Sequence, residues 1–169
     1  MNPKITILNK ELRDMLVKQF YKEIENKLIY LNLSTKAHEM GLYGFKHFFN
    51  LQSIEEDSHA IKIKDYLLRR NETITQERTS LNININMDRL DARGLIKLSL
   101  KQEVSNTISL IKIMKKSEEL DDYSVQDFLM WFIREQVEDE EYLFFTILKK
   151  FDLDVNIKLI DEDLGKRNK

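Results

Sequence analysis

The sequence predicts an all-α protein: four long helices in a bundle, a long crossover between the second and third, and a short fifth helix at the C-terminus. Three observations predict it. One proline and four glycines interrupt 169 residues, so helices can run unbroken for many turns. Apolar residues recur at steps of three and four through four long stretches, the period of a helix with one buried face. The connections run short, long, short, which suits two hairpins joined end to end across a bundle.

The first helix is expected over about 9–38, opened by Asn9 as an N-cap and carrying Leu12, Leu16, Phe20, Glu23, Lys27 and Tyr30 on one face. Gly41 and Gly44 mark a short turn into the second, about 42–70, with Phe45, Phe49, Glu56, His59, Ile63 and Tyr66 inward. Leu81 to Met87 alternates polar and apolar residues, a strand-like period that predicts an extended, packed crossover. The third helix, about 90–117, has Ile96, Leu100, Glu103, Thr107 and Leu110 on its face. Ser124 is the expected cap of the fourth, about 124–151, with Phe128, Trp131, Phe132, Glu135, Glu138, Asp139, Tyr142 and Phe145 on a broad arc. A fifth helix, about 156–165, is too small to stand alone and must dock on the bundle or a neighbour. The whole chain, 1–169, reads as a single domain.

Composition removes several function classes. A net charge of −2 with interspersed charges gives no basis for nucleic-acid binding. No cysteine is present, which excludes disulfides, thiolate zinc, iron–sulfur clusters and cysteine nucleophiles. No stretch is apolar enough for a signal peptide or a membrane span, and a soluble cytoplasmic protein is the simplest reading. His38 and His47 have no acidic neighbours suited to a site, and the acids of 118–122 read as a solvated turn.

What stands out is acid on faces that are otherwise apolar: Glu23, then Glu56 with His59, then Glu103, then Glu135, Glu138 and Asp139. Carboxylates cannot share a bundle core in ionised form without a counter-charge. A multivalent cation is the direct answer, and carboxylates with one imidazole suit iron or manganese. A lone Glu-x-x-His is weak evidence, but acid on all four helices is a specific pattern.

The sequence resembles the non-haem bacterial ferritins, a family with a ferritin-like four-helix bundle. The resemblance is carried by Glu23 followed seven residues on by Tyr30, by Glu55-Glu56-Asp57-Ser58-His59, by Glu103, by Trp131 and Glu135-Gln136-Val137-Glu138-Asp139, and by 160–167 as a fifth helix. It implies that Glu23, Glu56 and His59 bind one iron and that Glu56, Glu103 and Asp139 bind a second, with Glu56 bridging. It places Gln136 beside the pair, assigns Glu55, Glu135 and Glu138 to a third iron site, and makes Tyr30 the tyrosine next to the centre. It further implies oxidation of Fe²⁺ by O₂ or H₂O₂, storage as a ferric mineral, and a hollow 24-subunit cage. No haem is expected, since Asp57 stands where haem-binding relatives carry methionine. Lys27 departs from the family pattern: an ammonium one turn after Glu23 would neutralise a carboxylate or run away along the helix. The alternative is therefore a shell protein with an impaired oxidation centre.

Overall fold

The computed structural model describes residues 8–74 and 85–168. The elements are α1 (Lys10–Glu39), α2 (Tyr43–Arg69), α3 (Ala92–Glu119), α4 (Tyr123–Arg134), a π-helical segment (Glu135–Glu141), α5 (Tyr142–Asp152) and α6 (Ile157–Gly165). Together α4, the π segment and α5 form one continuous fourth rod. The described residues contain no strand, and the fold is the four-helix bundle with a short C-terminal helix.

Side-chain caps open most of these helices. Asn9 accepts from the Glu11 amide at 2.8 Å and Asp91 from the Gly94 amide at 2.7 Å, satisfying amides that have no partner within the helix. The fourth rod is capped by Asp122, which accepts from the Val125 amide at 3.1 Å, not by Ser124, whose hydroxyl pairs with Tyr66 at 3.2 Å. The turn between α1 and α2 runs through Gly41 at φ 72°, a left-handed conformation that glycine adopts without steric cost. Asp122 also receives Arg70 at 3.0 Å, which ties the end of α2 to the α3–α4 turn.

The apolar core lies in two clusters. One gathers Tyr30, Leu33, Phe45, Phe48, Phe49, Leu95 and Phe144; the other gathers Leu12, Leu16, Ile63, Leu67, Leu110, Leu129 and Phe132. Each fully buried aromatic or leucine contributes roughly 1.5–3 kcal/mol. Chain termini of the helices sort onto these clusters: α2 ends beside the second and α3 begins beside the first, so the connection between them joins opposite ends of the bundle. At its start Glu72 pairs with Arg13 at 3.4 Å, and at its finish Ile85 and Met87 pack on the first cluster. The alternating stretch expected from Leu81 to Met87 lies largely outside the described residues, and its described end, 85–87, has no regular structure.

The fifth helix docks on its own bundle. Ile160 and Leu164 are buried, Asp161 Oδ1 accepts from the Phe45 amide at 2.9 Å, and His47 Nε2 contacts the Arg167 carbonyl at 2.8 Å. Gly44 permits this approach, because a Cβ there would lie 1.7 Å from the Asp161 carbonyl oxygen.

Candidate metal centre

Between the two apolar clusters every long helix turns a polar stretch inward. α1 supplies Gln19, Glu23 and Asn26, α2 supplies Glu56 and His59, α3 supplies Glu103 and Asn106, and the π segment supplies Gln136 and Glu140; all are at most 2% exposed. Helical spacing explains the placement on α1, α2 and α3: Glu23 to Asn26, Glu56 to His59 and Glu103 to Asn106 are each three apart, so the members of each pair share a face.

The fourth rod follows a different rule. Its buried residues are Val125, Leu129, Phe132, Gln136, Glu140, Phe144 and Ile147, with three successive steps of four after Phe132. On a regular helix each such step drifts by about 40°, which would rotate Phe144 off the core. The π turn takes up the drift. It brings Glu140 inward and leaves Asp139 and Glu138 exposed, so Glu140 is the acid facing Glu56 and Glu103, in place of the expected Asp139. The same shift moves Tyr142 and Phe145 out, to 69% and 55% exposure.

Two groups of ligand-type atoms result: Glu23, Glu56 and His59, and Glu56, Glu103 and Glu140, each set lying within 4.8 Å of one another. Glu56 belongs to both. His59 Nδ1 lies 3.7 Å from Glu140 Oε1 and 4.0 Å from Glu56 Oε2. No hydrogen-bond donor reaches Glu56 Oε1 or Glu140 Oε1 among the described residues. Buried oxygens left this way carry a desolvation cost that a cation would relieve. Burial pushes the Glu23 and Glu103 carboxyls up from their ordinary range. Glu56 and Glu140 are pushed further by burial and then by the neighbouring carboxylates. A site of this kind holds protons until a cation displaces them.

Over residues 13–153 the sequence matches the family model described as a ferritin-like domain. The chain belongs to that ferritin-like family. It is 30% identical over 156 residues to the bacterial non-heme ferritin of Campylobacter jejuni, with 92% of this chain and 87% of that one covered. It is 27% identical over 162 residues to the bacterial non-heme ferritin of Bacteroides fragilis, covering 95% and 100%. In fold it is similar to an open pore ferritin from the hyperthermophilic archaeon Archaeoglobus fulgidus, with a TM-score of 0.87 at 22% identity over 95% of this chain and 98% of that one.

Within this ferritin-like bundle Tyr30 is held between Phe49 and Phe144, ring centroids 6.2 and 6.3 Å away, and its hydroxyl donates to Glu103 Oε1 in a short contact. Burial and the nearby carboxylates raise its phenol well above the usual range, so it stays a donor. Lys27 does not sit among the acids: its ammonium pairs with Asp57 at 2.8 Å, both about a third or more exposed. Trp131 meets the His59 ring edge-on at 5.8 Å and carries Lys62 over its face at 3.6 Å.

Beside the paired groups, Glu55, Glu135, Asp139 and Glu140 line a cavity of about 370 Å³. Glu138, expected with Glu55 and Glu135, is exposed and does not line it. Gln19, Asn26, Asn106 and Glu140 join the site beyond the residues expected from the sequence. The signal for the first three was uncharged polar side chains at core spacing beside a core acid. For Glu140 it was the fourfold step from Gln136.

Proposed function

We propose that this ferritin-like chain stores iron and oxidises Fe²⁺ at the buried carboxylate pair of groups. The observation that carries the reading is Glu56, fully buried and common to both groups. Two cations on either side of one carboxylate are held close, and each offsets the repulsion that the acids feel in their absence. Glu23, Glu56 and His59 take one Fe²⁺; Glu56, Glu103 and Glu140 take the other.

Hard oxygen donors favour Fe³⁺ over Fe²⁺, so the ligand set itself assists electron loss. With O₂ as oxidant, two Fe²⁺ give up one electron each, and O₂ with two protons becomes H₂O₂. With H₂O₂ as oxidant, the same two electrons and two protons give two waters. Protons displaced from the carboxylates on loading are available at the site, and the Tyr30 hydroxyl supports Glu103 through either course.

In this reading Glu55, Glu135, Asp139 and Glu140 form the next stop for iron on its way to a mineral, and copies of the chain close into a cage, 24 subunits by family resemblance. The alternative, a shell protein with an impaired oxidation centre, was argued from Lys27; its ammonium pairs with Asp57 rather than with the buried acids, which supports the oxidising reading. Stopped-flow absorbance after mixing with two Fe²⁺ per subunit in air tests the reading. Rapid oxidation that is lost in Glu56→Ala is expected; slow oxidation unchanged by that substitution would refute it.

A further inference from the structure

Three buried amides run between the two groups of acids. Gln19 Nε2 donates to Glu23 Oε1 and to Asn106 Oδ1, both at 2.6 Å. Asn106 Nδ2 donates to Glu23 Oε2 at 3.1 Å and to Gln136 Oε1 at 3.3 Å. Gln136 Nε2 donates to Glu140 Oε2 at 3.3 Å and, in a short contact, to Glu103 Oε2. The polarity of the chain is fixed from its ends, since turning any amide over would set its oxygen against a carboxylate or another carbonyl.

From this geometry we infer that Asn106 is a positioning residue that couples the two cation positions, an inference that rests on the metal-binding reading above. Asn106 is fully buried and is the only one of the three amides bonded to both of the others. Its Oδ1 accepts from Gln19 and its Nδ2 donates to Glu23 and Gln136, so its side chain is committed to this relay and acts through Glu23 and Gln136. On one side it orients the acid that belongs to the first group alone. On the other it holds the Gln136 carbonyl, which aims the Gln136 amide hydrogens at the two acids that belong to the second group alone.

Amides suit this work better than the alternatives. A lysine at 106 would neutralise Glu23 but would also repel the incoming cation. An aliphatic residue would strip hydrogen bonds from a buried carboxylate. An amide donates to the anion and adds no charge. Outer-shell partners of this kind are worth about 10–100-fold in metal affinity.

Calorimetric titration with Zn²⁺, which takes no part in redox chemistry, tests the coupling on the assembled protein. The steps to follow are the two abolished by Glu56→Ala. Asn106→Leu is expected to weaken both by about tenfold or more, and Gln136→Leu to weaken only the second. In the double variant the second step should be no weaker than in Gln136→Leu alone, within about twofold, because the path from Asn106 to that position is already cut. A simple packing defect would instead weaken the second step again by the full factor, and that result overturns the inference, as does an Asn106→Leu protein whose two constants match wild type. Where the leucine variant does not assemble, Asn106→Ala is read by the same constants. A wild-type protein that binds no Zn²⁺ at Glu56 refutes the underlying metal reading instead.

Discussion

Gln136 and Glu140 lie one π turn apart and face each other, Gln136 Nε2 standing 3.3 Å from Glu140 Oε2. That relationship identifies which acid of the run Glu138-Asp139-Glu140-Glu141 reaches the core. Glu141 is turned toward α3, where it accepts from the Thr107 hydroxyl.

Replacing Glu140 and Asp139 one at a time follows from this register. Glu140→Gln removes a ligand-type oxygen from the buried group and is expected to cut the initial Fe²⁺ oxidation rate by about tenfold or more, the scale of losing a metal-site partner. Asp139→Asn alters an exposed residue beside the cavity and should leave the initial rate within about twofold. Stopped-flow kinetics on both variants checks the order; the reverse order would mean that the fourth rod winds differently.

The protons held by the buried acids predict a pH dependence of the metal-free protein. Glu56 and Glu140 are raised well above 4.5 by burial and by neighbouring carboxylates, so above about that pH the folded state binds more protons than the unfolded chain. Their contribution to stability is intact below the unfolded value and is lost as pH rises toward the folded values. Glu56→Gln removes one of the mutually repelling charges. Metal-free Glu56→Gln should melt about 2–4 °C above wild type at pH 7.5, for roughly 1 kcal/mol gained, and together with it at pH 4.5. Saturating Zn²⁺ should raise the wild type at pH 7.5 and leave the variant nearly unmoved. Scanning calorimetry reads all of these, and a variant melting below metal-free wild type at pH 7.5 would contradict the account.

Gly44 marks where α6 meets α2. Gly44→Ala forces a Cβ to within 1.7 Å of the Asp161 carbonyl oxygen, a backbone clash that no rotamer relieves, so α6 must shift. The expected outcome is faster proteolytic release of the C-terminal segment with the four long helices intact by circular dichroism. Unchanged protease resistance would show that α6 does not approach α2 this closely.

Much of this was legible in the sequence because α1, α2 and α3 hold to a single period. Glu23, Glu56, His59 and Glu103 stand out as polar residues at apolar positions of those stripes. The fourth rod breaks that period: its inward face changes register at the π turn, so one 3.6-residue stripe through Phe128, Asp139 and Phe145 runs onto the solvent side. Asn26 and Asn106 were hidden for another reason. A polar uncharged residue at core spacing is ambiguous until its partners are known, and theirs come from other helices: Glu56 for Asn26 at 3.4 Å, and Gln19, Glu23 and Gln136 for Asn106. Helical position puts Lys27 one turn after Glu23 and leaves its ammonium two courses, among the acids or away along the helix; the structure takes the second, at Asp57.

The central claim, one carboxylate shared between two cations, is tested most directly by anomalous X-ray scattering from crystals soaked in Zn²⁺ or, without air, in Fe²⁺. Two strong peaks per subunit are expected between the apolar clusters, both within bonding distance of Glu56, one beside Glu23 and His59 and the other beside Glu103 and Glu140. Metal confined to the cavity lined by Glu55, Glu135 and Asp139, with no peak against Glu56, would contradict it.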